Sequence, residues 1–141
     1  MLSANYIIGL VDGEGSFTAY INHGQNPERK RRARVEPKFY LKLTEEDKDI
    51  LYQLKQYFGC GQVYFQKDSR PNHKDCYRYE ISKREDLQKI IIPFFRANQL
   101  KLATKKRDFK IFCQIMRAIK ENKHLTSSGL TELYQLKQKM H

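Results

Sequence analysis

Asp12 and Glu14 close an apolar, glycine-bearing segment, Tyr6-Ile7-Ile8-Gly9-Leu10-Val11-Asp12-Gly13-Glu14-Gly15-Ser16-Phe17. On a helix these carboxylates stand at the C-terminal end, beside the negative pole of the dipole. An acid there is unfavourable by about 0.3–1 kcal/mol unless a cation offsets it. Gly9 and Gly13 are four residues apart, so they share one helical face and strip it of side-chain bulk. Each costs roughly 1 kcal/mol relative to Ala in a helix, and close approach of another backbone is the reason to accept that cost. A face built for close packing and a displaced acid at its tip make a metal site at an interface, with the oxygen ligands that hard divalent cations take. Cysteine and histidine offer no rival. Cys60, Cys76 and Cys113 have neither zinc spacing nor an even disulfide count, and His23, His73, His124 and His141 are scattered. The thiols read as reduced and partly buried in an intracellular protein, and no Ser-His-Asp arrangement supports a hydrolase.

The elements that must position these acids are read from the rest of the chain. Its 141 residues suffice for one domain around one core. Lys and Arg number 27 against 16 Asp and Glu, a balance of +11 that favours a polyanionic partner, nucleic acid before an acidic membrane surface. Nine Tyr and eight Phe argue against disorder, and no apolar run is long enough to span a membrane. The N-terminus leads straight into the glycine-bearing helix, with no basic leader or cleavage site.

The first helix is expected over residues 3–13, with a break at Gly15. Ser16–His23 alternates as a half-buried strand, Phe17, Ala19 and Ile21 against Thr18, Tyr20 and Asn22. Residues 24–34 hold turn formers and then five bases in six positions, Arg29-Lys30-Arg31-Arg32-Ala33-Arg34, and read as a hairpin tip. A second alternating strand runs to Thr44, with Lys38, Tyr40 and Lys42 opposite Phe39, Leu41 and Leu43. Thr44-Glu45-Glu46-Asp47 is a cap for a helix whose apolar face is Ile50, Leu51, Leu54, Tyr57 and Phe58. Strands over 61–65 and 76–82, a helix over 85–91 broken by Pro93, a long helix over 104–118 and a last helix capped by Ser127 or Ser128 complete the order. This is an α+β plan, a four-stranded antiparallel sheet with helices on one face.

At this point the chain resembles a known family. Ile7-Ile8-Gly9-Leu10-Val11-Asp12-Gly13-Glu14-Gly15 is similar to the signature of LAGLIDADG homing endonucleases, and the likeness extends beyond it. Leu43-Thr44-Glu45, Asp47–Leu51 and Phe58–Gly61 resemble the family's second helix and hairpin, while Leu102–Phe109 and His124–Leu130 resemble its C-terminal segments. The resemblance implies one αββαββα domain over residues 1–141 with a curved sheet. With a single motif it implies a homodimer in which Gly9 and Gly13 of two copies pack together, bringing one acid from each to the two-fold axis. It assigns the metal-binding carboxylate to Glu14, with the Gly13 carbonyl beside it and Mg²⁺ or another divalent cation as cofactor. Asp12 matches an acid that supports the helix end. Glu45 stands where the family commonly has a water-ordering Gln, and either takes that role or caps its helix. Lys105 matches a lysine that polarises the catalytic water, with Lys101 and Lys106 as neighbouring alternatives.

Divalent metals on carboxylates can activate water, neutralise the phosphate and stabilise the leaving oxygen, which is what phosphodiester hydrolysis needs. A curved sheet can lay one alternating face in a major groove. That face would carry Thr18, Tyr20, Asn22, Lys38, Tyr40, Lys42, Tyr64, Gln66, Arg78 and Glu80, while Arg29, Arg31, Arg32 and Arg34 suit phosphates. The expectation is a site-specific, metal-dependent endonuclease that cuts both strands of a long pseudo-palindromic duplex, encoded by an intron and acting in an organelle (chloroplast or mitochondrion) or a prokaryotic cytoplasm. The alternatives are an intron maturase that binds RNA, a relative that binds DNA without cutting it, and a generic basic RNA-binding module.

Overall fold

The computed structural model describes residues 1–22 and 34–140. The bases Arg29, Arg31 and Arg32 lie outside the described residues. The chain falls into two compact units, residues 1–16 with 39–102 and residues 17–38 with 103–141. Among the described residues the strands β1 (Gly15–Asn22), β2 (Arg34–Thr44), β3 (Gln62–Gln66) and β4 (Cys76–Ile81) are hydrogen-bonded in the order β1-β2-β4-β3.

In the first unit α1 (Ala4–Glu14) starts at Ser3, whose Oγ accepts the Tyr6 N–H at 3.1 Å. Ile7, Ile8 and Val11 turn inward. The chain passes from α1 directly into β1 (Gly15–Asn22). A Cβ at Gly15 would lie 2.6 Å from Val11 Cγ1 and 2.9 Å from the Val11 oxygen, so the abrupt exit needs glycine. β2 (Arg34–Thr44) begins four residues earlier than the alternation of Lys38–Thr44 suggests, and it takes in Arg34. A 3-10 turn, Glu45–Asp47, leads into α2 (Lys48–Phe58), which buries Leu51, Leu54 and Phe58. The expected Thr44 cap is not made. The Glu45 amide, the first donor of the turn, donates to the Asp75 carbonyl at 3.1 Å, so the backbone of the following hairpin satisfies one of the donors that a helix start leaves open. Gly59 ends α2 in the left-handed region, φ +71°, where a Cβ is strained.

β3 (Gln62–Gln66) and β4 (Cys76–Ile81) are antiparallel, as are β2 and β4. The register pairs Phe39 with Ile81, Tyr40 with Glu80, Lys42 with Arg78 and Tyr64 with Arg78. Opposite residues share a face, so Phe39, Leu41, Tyr79 and Ile81 enter the core together. The Tyr79 hydroxyl donates to the Cys60 carbonyl at 2.7 Å, and burial pushes its ionisation far above the ordinary phenol range. Pro93 does not break the next helix. Residues run from α3 (Arg84–Asp86) through a π turn, Leu87–Ile91, into α4 (Ile92–Ala97). The wider π turn lies where the proline ring would otherwise meet the carbonyl four residues back, and it absorbs the missing donor.

In the second unit the inward residues of β1, Phe17, Ala19 and Ile21, are buried. Phe17 packs its ring 5.2 Å from Phe109 and 5.4 Å from Phe112 of α5 (Ala103–Lys120). α6 (Ser127–Gln138) is capped by Thr126, not by either serine: Thr126 Oγ1 accepts the Gly129 N–H at 3.0 Å. Among the described residues no helix is long and apolar enough to cross a membrane.

Candidate metal and nucleic-acid site

The tip of α1 separates its two acids. Asp12 is buried, and its carboxylate accepts the Lys101 N–H at 3.1 and 3.0 Å and the Leu102 N–H at 3.2 Å. Hydrogen bonds to a charged group contribute about 1.5–3 kcal/mol, which offsets the poor placement of an acid at a helix C-terminus. Asp12 thus ties the end of α1 to the two residues that precede α5 in the chain. Glu14 is exposed, as are Gly9 and Gly13. A Cβ built on Gly9 or Gly13 would meet nothing within 4 Å. Among the described residues no packing asks for glycine at either position.

Among the described residues no three His, Cys, Asp or Glu side chains converge on a common point. Glu14 and the Gly13 carbonyl therefore offer at most part of a coordination sphere. That suits a hard divalent cation such as Mg²⁺, which holds one or two carboxylates and fills its remaining positions with water and phosphate.

Glu45 is exposed in the 3-10 turn before α2. Of the three lysines, Lys101 is exposed and has its amide on Asp12, while Lys105 is half-buried and Lys106 exposed, both on α5. The engagement of Lys101 joins positions 89 residues apart in sequence, and nothing in the local pattern foretells it.

The sheet presents its polar side chains as the alternation predicts, but three of them form a cluster. In the first unit Tyr40, Lys42, Tyr64, Gln66, Arg78 and Glu80 share the face away from the core. The Arg78 guanidinium lies 3.7 Å over the centroid of the Tyr40 ring, and its Nη2 donates to Glu80 Oε1 at 2.8 Å. The Arg78 and Glu80 side chains are 23% and 14% exposed. Arg78 Nε and Gln66 Oε1 are buried without a hydrogen-bond partner. A stacked cation contributes about 0.5–2 kcal/mol, and a buried unpaired donor costs about 1–3 kcal/mol. Stability alone does not account for the cluster. In the second unit Thr18 and Asn22 are half-buried and Tyr20 exposed along β1, with Arg34 exposed and Lys38 half-buried on β2.

Residues 67–74, which read as a polar loop in the sequence, are braced by their own side chains. Asp68 accepts from the Arg70 amide and Nε at 3.0 Å and from Nη2 at 2.7 Å, and the Asp68 amide donates to Asp75 at 3.0 Å. Lys74 reaches Glu46 at 2.7 Å. The Arg70 guanidinium and amide hold the Asp68 carboxyl well below the usual carboxylate range. A loop braced in this way presents Lys67, Arg70 and Lys74 from a fixed backbone. Its polar composition was the available signal, and it does not distinguish a braced loop from a slack one.

The fold and the α1 tip together define an α+β domain with a glycine-faced helix that ends in an exposed acid. Residues 7–116 match the family described as LAGLIDADG endonuclease. The chain belongs to that family. It is 35% identical over 133 residues to "Probable intron-encoded endonuclease 3" of Neurospora crassa, an alignment that covers 94% of this chain and 23% of the relative. It is 30% identical over 123 residues to "Homing endonuclease I-ApeII" of Aeropyrum pernix, with 87% and 68% covered. The chain therefore spans about a quarter of the fungal relative's length. Among solved structures, the homing endonuclease I-TnaI superposes with a TM-score of 0.83 at 34% identity, with 99% of this chain and 88% of that one covered. I-SmaMI bound to cleaved DNA superposes with a TM-score of 0.84 at 28% identity, with 100% and 44% covered.

Proposed function

We propose that this chain acts as a homodimeric, site-specific DNA endonuclease that makes a metal-dependent double-strand break in a long pseudo-palindromic target, and that it is intron-encoded. The observation that carries the reading is the α1 surface. Gly9 and Gly13 are exposed, a Cβ at either would meet nothing within 4 Å among the described residues, and exposed Glu14 lies at the end of the same helix. A second copy packed on that face would bring two Glu14 carboxylates together, which supplies the ligands a single chain lacks. Relatives from fungi and from an archaeon bear endonuclease names, and a structural neighbour is solved on cleaved DNA. Both support the reading.

In the mechanism Glu14 and the Gly13 carbonyl would hold the cation. Divalent metal, when bound, neutralises charge building on the scissile phosphate and lowers the pKa of attacking water. Asp12 fixes the end of α1 against Lys101 and Leu102, so that Glu14 is presented from a rigid backbone. Glu45 orders water near the phosphate or serves only the start of its helix, and Lys105, with Lys101 and Lys106 as the neighbouring candidates, polarises that water. Residues of the outer sheet face enter the major groove, which displays a distinct pattern for each base pair. Arg34 and the bases preceding it contact phosphates. A two-fold dimer implies half-sites each spanning roughly one duplex turn of ~10 bp. The setting would be an organelle or a prokaryotic cytoplasm.

The test is incubation of the full chain with a duplex carrying the insertion sequence of its intron, with Mg²⁺ or with a chelator. The expected result is a double-strand break with Mg²⁺ and none with the chelator. Sequence-selective binding with no break at any Mg²⁺ concentration would overturn the nuclease assignment.

A further inference from the structure

We propose that Tyr40, Arg78 and Glu80 act as one preassembled reader of a single G·C base pair in each half-site; the inference rests on the DNA-binding function proposed above. Roughly half to two-thirds of protein–DNA hydrogen bonds go to phosphate and sugar, and Arg78 is poorly built for a phosphate contact. Glu80 Oε1 lies 2.8 Å from its Nη2, so the pair carries no net charge, and a phosphate approaching Arg78 would meet a carboxylate as well. The cluster does have a donor array and an acceptor locked side by side. A guanidinium has five donors. One is spent on Glu80 and Nε is buried, which leaves the terminal amino groups to meet a ligand.

The major-groove edge of a G·C pair has the complementary pattern. It shows two acceptors on guanine, N7 and O6, beside a donor on cytosine, N4. Arg78 can donate to the first two while Glu80 accepts from the third. Stacking of the guanidinium on Tyr40 at 3.7 Å fixes its plane, which bidentate donation requires, and spares rotamer entropy on binding. The cross-strand register supports the arrangement, since Tyr40 lies opposite Glu80 on the neighbouring strand while Arg78 and Glu80 are two apart on β4. Lysine at position 78 would keep the charge and lose both the fork and the stack.

The experiment titrates the full chain against duplexes carrying the intron-insertion sequence, each with one base pair replaced, without divalent metal so that cleavage does not intervene. The wild-type chain should favour G·C at one position of each half-site by about ten- to hundred-fold, the usual scale for one bidentate contact. Arg78→Ala and Arg78→Lys should both flatten that position alone, and Arg78→Lys should leave the remaining preferences intact. Tyr40→Phe, which keeps the ring, should retain the preference, and Tyr40→Ala should weaken it. Uniform weakening at every position by Arg78→Ala, with a salt dependence shallower by about one ion, would make Arg78 a phosphate contact and overturn the proposal. An unchanged preference in both Arg78 variants overturns it too, as does a preference for A·T at the affected position. If wild-type protein binds every duplex alike, the endonuclease reading falls first and takes this inference with it.

Discussion

The two faces of α1 are built from the same short segment and are completed in opposite ways. Ile7, Ile8, Val11 and Asp12 are buried, and even the carboxylate on that side is matched by two backbone amides. Tyr6, Gly9, Gly13 and Glu14 are exposed on the other side, where added carbon would touch nothing at either glycine. Two acids two residues apart thus divide into one that backbone amides of the same chain satisfy and one that stands exposed. An acid in a motif is assigned by what satisfies it. The inward acid is a structural tie, and the outward one is the candidate metal ligand.

The sharpest way to break this contrast is to neutralise the outward acid. Glu14→Gln should lower Mg²⁺-dependent cleavage by on the order of a thousand-fold, because charge stabilisation by metal is worth several kcal/mol and each ~1.4 kcal/mol is tenfold in rate. Its unfolding free energy should stay within about 0.5 kcal/mol of wild type, as for other exposed positions, and duplex binding should persist. A variant that cuts at the normal rate would remove Glu14 from the site.

Neutralising the inward acid should do the reverse. Asp12→Ala leaves the Lys101 and Leu102 amides without their charged acceptor, and chemical denaturation should show a loss of about 2 kcal/mol, since each such bond contributes about 1.5–3 kcal/mol before solvent takes part of its place. Asp12→Asn, which keeps an acceptor, should fall between. Equal stability in all three proteins would mean that the tie contributes nothing to the fold.

The glycines give a third contrast, between one chain and two. Gly9→Leu should raise the stability of the single chain by up to about 1 kcal/mol, because glycine is a poor helix former and no Cβ contact opposes the change. The same substitution should weaken self-association at least tenfold by sedimentation (about 1.4 kcal/mol), because the leucine occupies the space the partner helix needs. Unchanged association would separate the glycine face from dimerisation.

The outward face was the legible part. Four-residue glycine spacing and an abrupt acidic end are local signals, and alternation placed Tyr40 with Lys42 on one side of their strand and Arg78 with Glu80 on one side of theirs. The inward partnerships were not legible, since they depend on contacts remote in sequence. Asp12 meets amides 89 and 90 residues away. Tyr40 stacks with Arg78 because of the β2–β4 register, which no single-strand pattern fixes. The predicted Thr44 cap is not made, and the first amide of that turn, Glu45, is met by the Asp75 carbonyl, a partner remote in sequence. Pro93 misled because a proline penalty is written for a regular helix, and a π turn precedes it here.

The smallest effect concerns the braced loop between β3 and β4, whose acid is also satisfied within the chain but at the surface. The Arg70 side chain, and then its amide, lower the Asp68 pKa. A lowered folded-state value means that the brace is fully present above the unfolded Asp value of about 3.9 and is lost as pH falls through the folded value. Amide chemical shifts of Lys67–Lys74 should therefore hold steady as pH falls through the unfolded value and move only in stronger acid, ahead of any change in the core. The brace should loosen further at high salt, because Arg70 is largely exposed and screening acts on it in full. Asp68→Asn should remove this acid transition. A wild-type loop that titrates near the ordinary Asp value would show that Arg70 does not hold Asp68 in solution.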